Sequence, residues 1–307
     1  MKNFSDSIII DNISKSYGET AALENISLSV KKNTIFGLVG PDGAGKSTLI
    51  RILCGLLKPD SGNAKISGYD LLKDSDKIKN NIGYLSQKFS LYTDLTVDEN
   101  IEFLAEIHGV KEFKKKRDEL LGFTRLINFR KFLAGKLSGG MKQKLALACT
   151  LIYEPEIIFL DEPTTGVDPV SRREFWIILS NLLKNDITVF ISTPYMDEAE
   201  RFNKIALIDK GKLLTVDSPE NVKSVMKGQL LEVVCSPVRS AYKILKDKTP
   251  FEIQLFGDRI NIASDSIDLN ENYLKELLIS NSIYITGIRK ISPSLENAYI
   301  HLIKENY

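Results

Sequence analysis

Nine consecutive residues, Gly40-Pro41-Asp42-Gly43-Ala44-Gly45-Lys46-Ser47-Thr48, constrain this chain more than any other segment. They fit G-x-x-x-x-G-K-[ST] without a mismatch. An apolar run at 35–39 precedes them and a helical run at 48–53 follows. Strand, loop and helix in that order build a phosphate cradle. Gly43 and Gly45 let backbone N–H groups turn inward, and the helix N-terminus adds partial positive charge. Lys46 can then reach β- and γ-phosphates, and Ser47 can face Mg²⁺.

The surrounding pattern supplies the fold such a loop needs. Apolar runs at 35–39, 82–85, 157–160, 188–192 and 205–209 read as parallel strands covered on both faces. Helices are predicted at 46–54, 139–153 and 171–185. Alternation of this kind indicates an α/β fold. Residues 96–137 carry Leu, Ile, Phe and Lys at helical spacing and read as a helical insertion. The basic run 111–117 inside it reads best as a solvated helix face. Past residue 217 the order becomes βαββαβ with a trailing helix. Strands are predicted at 230–235, 251–256, 260–263 and 283–288, and helices at 241–246, 273–279 and 294–304. The 307 residues thus divide into domains at 1–220 and 221–307, with a helical subdomain near 88–150.

Two further segments carry chemistry. The run 157–160 ends in Asp161-Glu162. Asp161 suits a hard cation, and Glu162 can orient or deprotonate an attacking water. Upstream, Leu137-Ser138-Gly139-Gly140-Met141-Lys142-Gln143 opens a long helix and offers a second set of donors to an anion. One chain thus carries two phosphate-binding surfaces, an arrangement that serves two chains meeting head to tail around nucleotide.

The three motifs together, across about residues 8 to 217, resemble an ATP-binding-cassette (ABC) transporter ATPase. The resemblance implies a RecA-like P-loop NTPase core with a helical subdomain, while the βαββαβ order past residue 217 suggests a small α+β ferredoxin-like C-terminal domain. It makes Ser138, Gly139 and Gly140 a signature that contacts nucleotide held by an opposing subunit. It matches Gln87 to a glutamine that contacts Mg²⁺, Tyr17 to an aromatic stacked on adenine, and Asp168 to a residue communicating across the dimer. ATP and Mg²⁺ are the implied ligands. The segments 161–169 and 193–200 are similar to ATPase subunits of bacterial drug and antibiotic exporters with type-2 permeases. The implied partners are such a permease and a second ATPase subunit, identical or not. The implied location is the cytoplasmic face of the cell membrane, as a peripheral protein.

One position departs from that pattern. The strand at 188–192 leads to Pro194, where the family carries a histidine that contacts the γ-phosphate. Proline has neither a side-chain donor nor an N–H. His108 and His301, the only histidines, lie far away in sequence. Two readings stay open. Either the site on this P-loop binds ATP but turns it over slowly and pairs with a histidine-bearing ATPase, or Ser192 or Thr193 takes over the role in a homodimer.

Other classes fit less well. A soluble cassette ATPase acting on ribosomes or nucleic acid is the main alternative. A net charge of +1, from 41 Lys plus Arg against 40 Asp plus Glu, does not favour it, and nucleic acid is not an expected partner. Asn203-Lys204-Ile205-Ala206 lacks the carboxylate a guanine reader needs. Cys54, Cys149 and Cys235 have no metal or disulfide spacing. No apolar run approaches the ~20 residues of a membrane span, and the N-terminus does not read as a signal peptide. The C-terminal domain shows no ligand constellation; a sensor role and a dimer- or permease-docking role both remain open.

Overall fold

The computed structural model describes residues 6–87, 91–264 and 270–306. Residues 88–90, where the helical subdomain is expected to begin, lie outside them. Contacts divide the chain after Asp217. The first unit runs β1 (Asp6–Tyr17), β2 (Thr20–Lys31), β3 (Ile35–Val39), α1 (Lys46–Leu53), β4 (Ser61–Ile66), β5 (Tyr69–Asp70), α2 (Ser75–Asn81) and β6 (Ile82–Leu85). Helices α3 (Val97–Ile107), α4 (Phe113–Phe123) and α5 (Gly139–Leu151) follow. Then come β7 (Ile157–Asp161), α6 (Pro169–Leu182), β8 (Thr188–Thr193), α7 (Met196–Ala199), β9 (Lys204–Asp209) and β10 (Lys212–Asp217).

Five strands form a parallel sheet in the order β9-β3-β8-β7-β6, with β10 added antiparallel at the β9 edge. All five residues of β3 and of β7, and all six of β8, are buried. Two-sided burial explains why these strands read as unbroken apolar runs. Phe190 stacks on Phe36 and packs at a tilt on Phe159 across the sheet, with ring centroids 5.3 and 5.5 Å apart. The sheet delivers the carboxyl ends of β3, β7 and β8 to one edge, which is where an open α/β sheet places its ligand crevice.

A second sheet, ordered β2-β1-β4-β5 and fully antiparallel, was not apparent from the sequence pattern. Its strand β1 buries Ile8, Ile10 and Ile13, but the register shifts between Ile10 and Ile13 and Asn12 takes a positive φ of 51°. Such bulges break the period-2 alternation that would have announced a strand. Residues 96–137 are helical as expected, with α3 and α4 followed by two short 3₁₀ turns. Thr96 and Glu99 close a capping box at the start of α3. Helix α6 starts at Pro169 rather than at 171, because Asp168 accepts from the N–H groups of Val170 and Ser171 and proline suits the first helical position.

The basic run is less solvated than its charge implies. Lys116 pairs with Glu154, and Arg117, only 9% exposed, pairs with Glu102 and Asp98.

The second unit contains α8 (Pro219–Lys223), β11 (Gln229–Ser236), α9 (Val238–Lys248), β12 (Glu252–Phe256), β13 (Arg259–Ser264), α10 (Glu271–Ser280), β14 (Tyr284–Lys290) and α11 (Leu295–Asn306). A domain boundary after residue 220 therefore falls inside α8. The four strands pair antiparallel in the order β12-β13-β11-β14. One sheet face packs Leu231, Val233, Ile253, Ile260 and Ile262 against Leu245 of α9 and Leu274 and Leu278 of α10. No helix among the described residues is long and apolar enough to cross a membrane.

Candidate functional site

The loop 40–45 leaves β3 and returns as α1. Its glycines are needed at two places. A Cβ on Gly40 would overlap the carbonyl oxygen of Ile208 on β9. Gly45 adopts φ +102°, and a Cβ there would overlap the carbonyl oxygen of Ala22 on β2. Both conformation and space exclude a side chain at Gly45. The same contact sets the β1–β2 hairpin tip beside the loop. Tyr17, at that tip, pairs with Thr20 and keeps its ring 51% exposed, so a flat face is open for stacking. Lys15, fixed by a 2.6 Å ion pair to Asp60, lies 6.0 Å from the ring centroid. Pro41, Asp42 and Gly43 are exposed, while Ala44 is buried.

Lys46 is 3% exposed. Its ammonium donates to the carbonyl oxygens of Gly40 and Pro41, both at 2.9 Å, and pairs with Glu162 Oε1 at 3.1 Å. The hydroxyl of Ser47 donates to Asp161 Oδ1 at 3.0 Å. Thr48 follows in the first turn of α1 and is half-buried. Gln87, just beyond β6, donates from Nε2 to Glu162 Oε2 at 3.0 Å, and Thr165 Oγ1 reaches the same oxygen at 3.4 Å. Five residues singled out in the sequence, Lys46, Ser47, Gln87, Asp161 and Glu162, are thus joined by direct contacts at one sheet edge.

Glu162 has φ +48°, a left-handed conformation costly for a residue with a side chain. Its N–H donates to Ser192 Oγ at 3.0 Å, and Ser192 Oγ donates in turn to Asp161 Oδ1 at 2.7 Å. Strand β8 therefore holds both acids in place. Asp161 projects its charge into the neighbouring core: burial, and then Asp161, push the Cys54 thiol well above its ordinary value.

Ser138, Gly139 and Gly140 stand apart. Ser138 caps α5 by accepting from the N–H of Met141 at 3.3 Å. Gly140 packs so closely on Ser171 that a Cβ would overlap its side chain, and Gly139 faces the Gly166 carbonyl. The segment therefore rests on its own 166–171 loop and helix start. Among the described residues no hydrogen bond joins it to the 40–48 loop. Asp168 is exposed beside it, and the N–H of Ser171 holds its carboxyl below the usual range.

The position of Pro194 is equally definite. Ser192 and Thr193 are fully buried, and both hydroxyls are engaged. Ser192 is committed to Asp161 and Glu162, while Thr193 Oγ1 donates to Glu198 Oε2 at 2.7 Å and accepts from the Tyr195 N–H at 3.1 Å. His108 stacks on Tyr153 with centroids 3.7 Å apart, and His301 bonds Glu252 at 2.7 Å. Asn203, from the segment compared with a guanine reader, accepts from the Ile35 N–H instead. The roles of Ser192, Thr193 and Glu198 as supports were not legible beforehand, because their partners lie on other strands or across a turn.

The family model described as ABC transporter matches residues 23–165, which span the loop, Gln87, Ser138–Gly140 and the two acids. The linearmycin resistance ATP-binding protein LnrL of Bacillus subtilis is 31% identical over 303 residues, covering 95% of this chain and 96% of its own length. The chain belongs to the ABC transporter family of ATP-binding proteins. This ABC chain is also 42% identical over 217 residues to the probable multidrug ABC transporter ATP-binding protein YbhF of Escherichia coli, but it spans only 37% of that relative's length. A solved ATP-binding cassette, MJ0796, in a dimeric post-hydrolysis state with ADP and Pi, matches the ABC chain at a TM-score of 0.63. Identity is 28%, over 69% of this chain and 98% of that one.

Proposed function

We propose that this chain is the ATP-hydrolysing subunit of an ABC exporter, closing as a dimer around ATP to drive a separate type-2 membrane permease. The observation that carries the reading is the convergence of Lys46, Ser47, Gln87, Asp161 and Glu162 at the ends of β3, β6 and β7. The names of the relatives, multidrug and linearmycin resistance, point to drug-like small molecules as cargo.

Each residue has a task that follows from its place. The loop amides and Lys46 grip the phosphates, with Lys46 exchanging its carbonyl and Glu162 partners for phosphate oxygens. Tyr17 stacks on the base. Glu162 orients and deprotonates the attacking water once Lys46 turns to phosphate. Ser47, Asp161 and Gln87 are oxygen donors, the set a hard cation such as Mg²⁺ selects, and would hold it. The chemistry it would supply there is charge neutralisation at the phosphate. Ser138–Gly140 serves the loop of the opposing chain, and Asp168 signals between the two sites.

Pro194 makes the site on this loop slow. For Ser192 to replace the missing donor it would have to abandon Asp161, leaving that oxygen to Ser47 alone, and for Thr193 to do so would leave Glu198 Oε2 buried without its donor. The reading favours pairing with a second ATPase that carries the donor. Residues 218–307 act as a ferredoxin-like packing module, since Gln254 and Asn297 bond each other and Glu232 is paired with Arg259 and Arg289. The whole assembly sits at the cytoplasmic face of the cell membrane.

The test is nucleotide retention and turnover by the full chain, with Lys46→Ala beside it, plus fractionation of cell extracts. Lys46-dependent ATP turnover in the membrane fraction supports the reading. Retention indifferent to Lys46, or a chain that travels with ribosomes, overturns it.

A further inference from the structure

We propose that Glu198 and Arg172 are positioning residues for the nucleotide site, forming a polar bridge that ties helix α6 to the strand end supporting the phosphate loop. The inference rests on the ATPase reading above and adds to it a route inside one chain from the Asp168 turn to Gly40.

The bridge can be followed contact by contact. Asp168 caps α6, and one turn later the N–H of Arg172 donates to the Asp168 carbonyl at 2.9 Å. Arg172 Nε lies 3.6 Å from Glu198 Oε1, and its guanidinium sits 4.8 Å above the ring of Tyr195. Glu198, 1% exposed, accepts from Thr193 Oγ1 through its other oxygen at 2.7 Å. The Thr193 carbonyl accepts from the N–H of Gly40, the first residue of the loop, at 3.3 Å. Thr193 is also the parallel partner of Val39, the last residue of β3. Every link in this chain is a bond, an ion pair or a ring contact.

Two features separate the bridge from an ordinary internal ion pair. Arg172 Nε and Glu198 Oε1 are both buried, and neither has a hydrogen-bond partner among the described residues. Their 3.6 Å separation is an ion pair just outside hydrogen-bond range. A closer approach of α6 by roughly 0.5 Å would bring the pair within hydrogen-bond range. The second feature is its place. Thr193 and Tyr195 flank Pro194, which has no N–H and no polar side chain of its own. The loop is therefore held through Thr193, and the strength with which Glu198 accepts the Thr193 hydroxyl depends on how closely Arg172 approaches. Arg172 and Glu198 themselves line a cleft of about 440 Å³ with Trp176 and Arg201.

The experiment measures kcat, KM for ATP and Tm on the full-length chain carrying Arg172→Met, Glu198→Gln, both together, or Arg172→Lys. Glu198→Gln keeps an acceptor for Thr193 but removes the charge. Each single change should lower kcat about three- to tenfold at a KM within about twofold. The double variant should be no slower than the worse single one, because the two act as a unit. Arg172→Lys should recover part of kcat. An unchanged kcat in Glu198→Gln, effects that multiply in the double variant, or a kcat loss that merely tracks Tm would overturn the bridge. Lys46→Ala run alongside separates the two readings: turnover that ignores Lys46 sinks the ATPase itself, whereas turnover that needs Lys46 but ignores Arg172 and Glu198 sinks only the bridge.

Discussion

Each unit of this chain buries charge at a sheet, but in different ways. In the first unit Lys46, Asp161 and Glu162 converge where parallel strands end, beside glycines that admit no side chain and a glutamate held at positive φ. In the second unit Gln254, Asn261, Glu232 and Arg289 face one another in register across all four strands. Glu232 pairs with Arg289 at 2.7 Å and Arg259 at 3.2 Å, and Gln254 pairs with Asn297 of α11 at 2.7 Å. The first arrangement joins charges through contacts that phosphate can replace. The second pairs its buried carboxylate with two arginines that no ligand needs to displace. Buried charge marks a site when strained backbone and replaceable partners accompany it, and marks a scaffold when, as for Glu232, its carboxylate is already paired from both sides.

The sharpest way to break this comparison is to remove one carboxylate from each unit. Glu162→Gln should lower ATP turnover about 10²–10³-fold, as loss of a general base does, whereas Glu232→Gln should leave turnover within about twofold. Similar losses in a phosphate-release assay would erase the distinction. Next in size is Pro194→His. Restoring a donor beside the transferring phosphate should raise turnover about ten- to a hundredfold in the assembled complex. Unchanged turnover would show that the site already has its full set of donors. A smaller effect is expected from Tyr17→Ala, which should weaken ATP binding about three- to tenfold through lost stacking. Titration with a fluorescent ATP analogue reads it directly.

The smallest effect concerns the second unit alone. Burial pushes the Glu232 carboxyl up, but the bonds from Arg289 and Arg259 together outweigh it and leave the value lowered. A carboxylate whose value falls on folding stabilises the fold above its unfolded value, and that contribution is lost as pH drops through the folded value. The second unit should therefore weaken on acidification below the ordinary carboxylate range of about 4. Glu232→Gln should cost about 1 kcal/mol near neutrality, since both arginines are open to water, and should flatten the acid dependence. Urea midpoints measured across that pH range decide it; an equally steep acid loss in the variant would assign it to other groups.

Much of the first unit was legible because its information is local. The strands at 35–39 and 157–160 are buried on both faces, so their composition alone marks them. The motif at 40–48 joins a strand to a helix with no long-range partner required. What could not be read depended on bulges or on distant pairing. The β1–β2–β4 sheet hid behind register shifts at Ile10 and Ile13. The start of α6 moved two residues earlier, to Pro169, because Asp168 caps it. The competition between a slow site and a rescue by Ser192 or Thr193 needed the partners of those hydroxyls, Asp161 and Glu198.

The order of residues alone determined that a glycine-rich turn would follow an apolar strand, that two acids would end another, and that proline would stand at 194. These are properties of chain neighbours, set by backbone freedom and side-chain chemistry. Only folding decided that Gln87 and Lys46 meet on Glu162, that Ser192 steadies Asp161, and that Arg172 faces Glu198. Those contacts join segments tens of residues apart, and their distances are settled by packing the whole sheet rather than by any one stretch of it.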